Sequence, residues 1–170
     1  FENYVLGYYL DGVLANANQR LKNMTANRFR LQRQNQDSGG KNRIEGLDLL
    51  VFDSYSNSSR DVRTLSGGEG FKASLALALG LSDFIQEKNA GIRLDTIFID
   101  EGFGTLDEET LETALDTLAS LQQDGKLIGV ISHVQALKER IRTQLSFQPV
   151  SGGRSRLAGP GVSAGVPDGR

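Results

Sequence analysis

A chain of 170 residues is long enough for one domain with a real hydrophobic core. Its 38% hydrophobic and 24% charged residues are ordinary for a globular protein, and its net charge of −2 argues against a chain-wide nucleic-acid footprint while leaving room for a local basic patch. With no cysteine, a disulfide framework and a thiolate metal site are both excluded; no apolar run is long enough to cross a membrane and no signal peptide is visible, so a cytoplasmic protein is expected.

The chain starts at Phe1, not Met, which suggests a processed product or a piece of something longer. Residues 1 to about 26 read as a helix, because Leu6, Leu10, Leu14, Ala17, Leu21 and Met24 recur at spacings of three and four. Tyr4, Val5, Tyr8 and Tyr9 widen that stripe near its start. Such a helix either packs on the domain body or forms the last turns of a coiled coil entering it. "RFRLQRQ" (28–34) alternates polar and apolar residues and "GLDLLVFDS" (46–54) follows, so two strands are expected with "NQDSGGKNR" as a hairpin loop. Asn57, Ser58 and Ser59 read as a polar loop.

Residues 67 to about 88 read as a helix that is apolar nearly all round from Phe71 to Leu81, and therefore buried, with Gly91 as its carboxyl cap. "DTIFID" is a continuous apolar strand of the parallel-sheet kind. Residues 107–123 form an amphipathic helix bearing Leu111, Leu115, Leu118 and Leu121, and "KLIGVIS" (126–132) is a second buried strand. A short helix at about 134–141 and a closing hairpin of "QLSFQPV" and "GRSRL" complete the order, before a Gly- and Pro-rich tail from Ala158. The expected organisation is an entering helix (1–26), an α/β body (27–150) and a closing strand with tail (151–170).

Three short stretches carry chemistry. "LSGGE" (65–69) opens the buried helix. Ser66 can donate a hydroxyl, Gly67 and Gly68 permit close backbone approach, and a helix start offers unpaired N–H groups, which together suit a phosphate. The same letters also fit a plain capping box of Ser66 with Glu69. In "TIFIDEGFGTLDEET" (96–110), Asp100 and Glu101 end a strand. An acid there can reach a magnesium ion on nucleotide phosphates, directly or through water, and its neighbour can hold an attacking water. Glu108 and Glu109 suit the start of a helix. The sole histidine, His133, ends the next apolar strand in "GVISH", where an imidazole can meet a terminal phosphate.

In this order the pieces resemble the carboxy-terminal half of an ABC-type ATPase head: "LSGGE" the signature motif, "TIFIDE" Walker B, Gly104–Thr105–Leu106–Asp107 the D-loop and His133 the switch histidine. "DEGFGTLD", with Gly102 and Phe103 where transporter ATPases usually carry proline, together with "LSGGEGFKASLALALGLSD", resembles the SbcC family of break-repair and SMC-like ATPases over about residues 1–150. No G-x-x-x-x-G-K-[ST] loop is present, since "SGGKNR" and "GPGVSAG" both lack its residues. Family members hold that P-loop in an amino-terminal lobe beyond a long coiled coil with a cysteine-bearing hook, so the resemblance implies the carboxy-terminal lobe alone.

It further implies a fold and a mechanism. The lobe joins its P-loop lobe into a head, and two heads sandwich ATP and Mg2+. Glu101 then acts as general base, His133 as phosphate sensor and Asp100 on the magnesium. Ser66, Gly67, Gly68 and Glu69 bind the nucleotide of the opposite head, and Asp107 meets the partner. Closure gates an SbcD-type nuclease on double-stranded DNA ends and hairpins, in the cytoplasm at the nucleoid. Arg28, Arg30, Lys41 and Arg43 are candidates for DNA phosphates, or else a solvated charged hairpin. The alternatives are an SMC-like or transporter ATPase half, and a head-pairing module that hydrolyses nothing. Because most phosphate contacts come from a P-loop, the isolated chain should bind ATP weakly or not at all. Micromolar affinity by calorimetry would contradict this.

Overall fold

The computed structural model describes residues 2–34, 48–89, 94–100, 102–123 and 125–162, in two compact units divided after Ile131. The first unit opens with helix α1, Glu2–Met24. Its apolar stripe divides in use. Val13, Leu14, Ala17, Leu21 and Met24 are buried, whereas Tyr4, Leu6, Tyr8 and Tyr9 are exposed. The helix stops where Asn27 N–H turns back to Lys22 O at 2.9 Å, with Ala26 and Asn27 at positive φ. That is a left-handed carboxyl-terminal closure made without glycine.

Strands β1 (Phe29–Arg33), β2 (Leu49–Asp53) and β3 (Ser58–Asp61) form an antiparallel sheet in that order. The register pairs Leu31 with Val51, both buried. The residues of the expected hairpin loop, 35–47, lie outside the described ones. The polar loop expected at 57–59 is a correction: Ser58 and Ser59 belong to β3, paired with Asp53 and Phe52. Asn57, at φ 51°, turns the chain tightly enough for pairing to resume at once.

A 3-10 turn, Val62–Thr64, leads into helix α2, Gly67–Lys88. Ala73, Leu75, Ala76, Leu79 and Phe84 are buried, but Leu81 is 47% exposed, so the helix is not covered all round as its composition suggests. Asn89 caps it, donating its backbone N–H to Ile85 O; the expected cap, Gly91, lies outside the described residues. Helices α1 and α2 are the main packing pair. Their backbones approach so closely that a Cβ on Gly80 would strike the backbone of Ala17, and one on Gly12 the ring of Phe84. The side chain of Asn18 fastens α1 to β1 by exchanging two hydrogen bonds with the backbone of Leu31, at 2.8 and 2.9 Å.

Strand β4 (Thr96–Asp100) pairs in parallel with β5 (Leu127–Ile131), and helix α3 (Glu108–Gln123) connects them. On α3, Leu111, Ala114, Leu118 and Leu121 are buried. The two strands are not buried as expected. Phe98, Leu127 and Ile131, which share one face, are 71%, 66% and 56% exposed. A parallel sheet is ordinarily covered on both faces.

The second unit holds the six-residue helix α4 (Gln135–Arg140) and an antiparallel hairpin of β6 (Ser146–Val150) with β7 (Arg154–Ala158). A boundary at 150 would separate these two hydrogen-bonded strands. The expected tail begins later than Ala158, which pairs with Ser146, and residues 163–170 lie outside the described ones. Among the described residues no helix is long and apolar enough to cross a membrane.

The close helix crossing sets a test. Gly80→Ala should destabilise the protein by about 1–3 kcal/mol in urea unfolding, because the methyl meets backbone that cannot step aside. Gly70→Ala lies on the same helix, with nothing nearer than 4.0 Å, and should be neutral or stabilising. Equal effects would refute the packing argument.

Candidate functional site

Ser66 ends an extended segment and caps α2. Its Oγ accepts from Glu69 N–H at 3.4 Å, and Glu69 Oε2 accepts from Ser66 N–H at 3.0 Å. The capping box that the sequence allows is therefore present. It leaves two backbone donors open. The N–H groups of Gly67 and Gly68 begin the helix and have no carbonyl a turn earlier to accept them. Ser66 and Gly67 are exposed.

The chain after β4 closes against this helix start. Gly102, at φ 88°, supplies a left-handed turn, and Phe103 drops into the core at 1% exposure, its ring 4.9 Å from that of Phe71 on α2. Gly104 and Thr105 form a turn, with Leu106 N–H donating to Phe103 O. A Cβ built on Gly67 lies 3.7 Å from Thr105, and one on Gly68 would meet Thr110 Oγ1 at 2.8 Å. Asp107 caps α3. It accepts the backbone N–H of Thr110 at 2.8 Å and its hydroxyl at 3.1 Å, which hold the carboxyl below the usual carboxylate range. Thus the start of α2 and the 103–110 segment, far apart in sequence, form one surface.

Asp100 is exposed at the carboxyl end of β4, opposite Ile131 of β5, so both parallel strands finish at one edge. Glu101 lies outside the described residues. His133 is exposed in the second unit, between Ser132 and α4.

Sequence reading misses the charge network behind Glu69. Arg28 grips the buried Asp53 through two hydrogen bonds at 2.9 and 3.2 Å, and a further guanidinium nitrogen lies 3.3 Å from Glu69. Its plane also lies 4.4 Å from the ring centre of Phe29 and 5.0 Å from that of Tyr55. Arg60 reaches Glu69 at 3.4 Å and Thr64 O at 2.7 Å. The Arg28 bonds hold Asp53 below the usual carboxylate range. Burial works against a charged Glu69, but the Ser66 N–H, Arg60, the Ser66 hydroxyl and Arg28 outweigh it and lower its pKa as well. Arg28, read from the sequence as a DNA contact, is thus engaged inside the protein. Arg30 is exposed beside the Phe52 ring, and Lys41 and Arg43 lie outside the described residues. No spacing in the sequence connects Arg28 to Asp53, because only the β1–β2 register brings them together.

The fold has counterparts among solved structures. The fold is that of SMC-type ATPase heads. A structure from work on ATP-driven dimerization and DNA-stimulated activation of SMC ATPases matches 92% of this chain and 88% of its own, with TM-score 0.66 at 14% identity. The Smc head domain with a coiled coil and joint from Pyrococcus yayanosii matches 88% of this chain and 27% of its own, with TM-score 0.61 at 15% identity. The family profile described as SbcC/RAD50-like, Walker B motif, matches residues 28–120, more than half the chain. The chain belongs to that SbcC/RAD50-like family. It is 59% identical over 140 residues to the SbcC component of the SbcCD nuclease of Staphylococcus saprophyticus, and 57% identical to that of Staphylococcus aureus, covering 82% of this chain. It spans 14% of the length of those relatives.

The lowered carboxyl values give a pH signature. A depressed folded pKa contributes stability above the unfolded value, about 3.9 for Asp and 4.3 for Glu, and loses it as pH falls through the folded value. Melting temperature should therefore hold from neutrality to about pH 4 and fall below it. Asp53→Asn should melt lower at neutral pH, and the gap to wild type should narrow in acid. A gap that is constant with pH would show that the Asp53 charge contributes nothing.

Proposed function

We propose that this chain is the carboxy-terminal lobe of an ATP-hydrolysing head that dimerises on ATP and gates an SbcD-type nuclease on double-stranded DNA. The observation that carries the reading is the shared surface of the α2 start and the 103–110 segment, beside the strand that ends in Asp100. Phosphate needs hydrogen-bond donors in a dipole-positive place, and this surface offers two glycine N–H groups and a hydroxyl. The amino-terminal lobe with its P-loop is proposed as the cover for the exposed Phe98–Leu127–Ile131 face, since a parallel sheet wants apolar protein on both sides.

The residues fit a magnesium nucleotide in part. Asp100 is an exposed carboxylate at a strand end, suited to magnesium directly or through water. The described residues contain no cluster of three acids or histidines that could hold the ion alone, so nucleotide phosphates and the other lobe must supply the rest. Bound Mg2+ would neutralise phosphate charge during transfer. Ser66, Gly67 and Gly68 hold terminal phosphate oxygens of the facing head's nucleotide. Glu69 contributes indirectly, by fixing the helix start through Arg28 and Arg60. Glu101 accepts the proton of the attacking water. His133 donates to a terminal phosphate oxygen, and the Gly104–Asp107 segment meets the partner head. Arg30, Lys41 and Arg43 are proposed to face DNA phosphates, in a protein working in the cytoplasm at the nucleoid.

Two substitutions in the completed head test this. Glu101→Gln removes the base but keeps the shape. Hydrolysis should fall by about 10²–10⁴, while ATP-bound dimers accumulate on size-exclusion chromatography with magnesium. Ser66→Arg places a bulky cation at a dipole-positive helix start and should leave monomeric, ATP-loaded heads. If Ser66→Arg dimerises like wild type, the serine is a helix cap and nothing more.

A further inference from the structure

Charge is segregated along this chain. The second unit, 132–170, holds six of the 19 lysines and arginines and two of the 21 acids, a net +4 against −6 for residues 1–131. Sheet geometry then sorts that charge. In an antiparallel pair, residues directly opposite share a face. The register Gln148–Arg156 and Val150–Arg154 puts both arginines on one face of the β6–β7 hairpin, with Gln148 beside them and no acid among the strand residues. The opposite face carries Phe147, Pro149 and Leu157. All of these side chains are exposed, Phe147 at 77%. Among the described residues, Arg154 and Arg156 have no ion-pair partner, unlike Arg20, Arg28, Arg33 and Arg60 of the first unit.

The two faces call for different neighbours. An isolated two-stranded hairpin is at best marginally stable in water, and its apolar side is the one that protein must cover. Covering Phe147 and Leu157 leaves the arginine face outward. We propose that this face lies on the phosphate backbone of double-stranded DNA, a second contact distinct from Arg30, Lys41 and Arg43; it rests on the DNA reading above. Guanidinium groups suit phosphate because they donate in bidentate fashion and keep their charge. Arg154 and Arg156, two residues apart on a strand, are separated by about 6.8 Å, the axial rise of two nucleotides on one DNA strand. Arg154 follows the Gly152–Gly153 turn at the tip, where a duplex can approach without meeting the body of the hairpin. The contact is to backbone, so it is independent of base sequence.

The test uses the full-length protein and two short duplexes of unrelated sequence, with affinity followed by fluorescence anisotropy across a salt series. Replacing both arginines (Arg154→Ala with Arg156→Ala) should reduce the slope of log K against log salt by about 1.8, from 0.9 per phosphate, equally on both duplexes. Replacing both with lysine should preserve the slope. DNA-free ATP hydrolysis should be unchanged in either variant. An unchanged slope in the alanine variant overturns the proposal, and so does a loss confined to one duplex. A joint loss of DNA binding and DNA-free hydrolysis also overturns it, by making the arginines part of the fold. If wild type binds neither duplex, the DNA reading itself fails, which is a separate result.

Discussion

The grip of Arg28 on Asp53 and Glu69 fixes where helix α2 begins. Asp53 ends β2, Glu69 sits in the first turn of α2, and Arg28 stands just before β1. One guanidinium thus joins the antiparallel sheet to the helix start. The planar group uses separate nitrogens for the two acids while its face lies against Phe29 and Tyr55, which a lysine could not reproduce. Removing Arg28 would leave the buried Asp53 carboxylate without its counterion, and that penalty is what makes the linkage firm. A phosphate site built on backbone N–H groups needs such an anchor, because backbone donors can be aimed only by holding the whole helix.

The parallel half of the first unit shows a different constraint. Strands β4 and β5 satisfy each other's hydrogen bonds, and α3 supplies a core through Leu111, Leu118 and Leu121. The face bearing Phe98, Leu127 and Ile131 has no such cover among the described residues. Phe98 lies over Gly129, where a Cβ would come within 2.5 Å of its ring, so the ring spreads along the open sheet instead of standing off it. Asp100 shares that face, in register with Ile131. Whatever covers the apolar residues would therefore also bound the space in front of the carboxylate. The completion of the sheet and the completion of the site are one event.

Legibility in the sequence depends on distance along the chain. The helices are readable because their apolar spacing is local, and the parallel strands because short apolar runs next to "DE" have few other uses. The burial of those strands is not readable, since composition reports what a strand needs and not whether its cover lies in the same 170 residues. Strand β3 escapes notice because "SNSSRD" has no apolar alternation, yet Asn57 in the left-handed region turns it back onto β2. Phe103 stands out in the sequence as a family mark; its physical task, plugging the core against Phe71, appears only in three dimensions. The Arg28–Asp53–Glu69 network is invisible for the same reason. Family resemblance joins residues 66–69 and 100–107 in one argument, but the adjacency of 66–69 to 103–110 in space comes from Gly67 and Gly68 against Thr105 and Thr110, and nothing in the spacing encodes that.

That adjacency also removes the conflict between two uses of "LSGGE". A capping box and a phosphate site look like rivals because both draw on the same helix start. Here they use different atoms. The cap uses the Ser66 oxygen as acceptor, the Glu69 N–H as donor and the Glu69 carboxylate on the Ser66 N–H. The phosphate reading needs the N–H groups of Gly67 and Gly68, which the cap leaves alone. The cap even helps, since it fixes the serine rotamer and keeps the first turn wound. Glycine at 68 answers to a second demand, because any Cβ there would meet Thr110 while that residue bonds to Asp107. A side chain at 68 would push α3 away and loosen the Asp107 cap. The second glycine is thus required from inside the lobe as well as from outside it, and a substitution there would damage packing and ligand approach together.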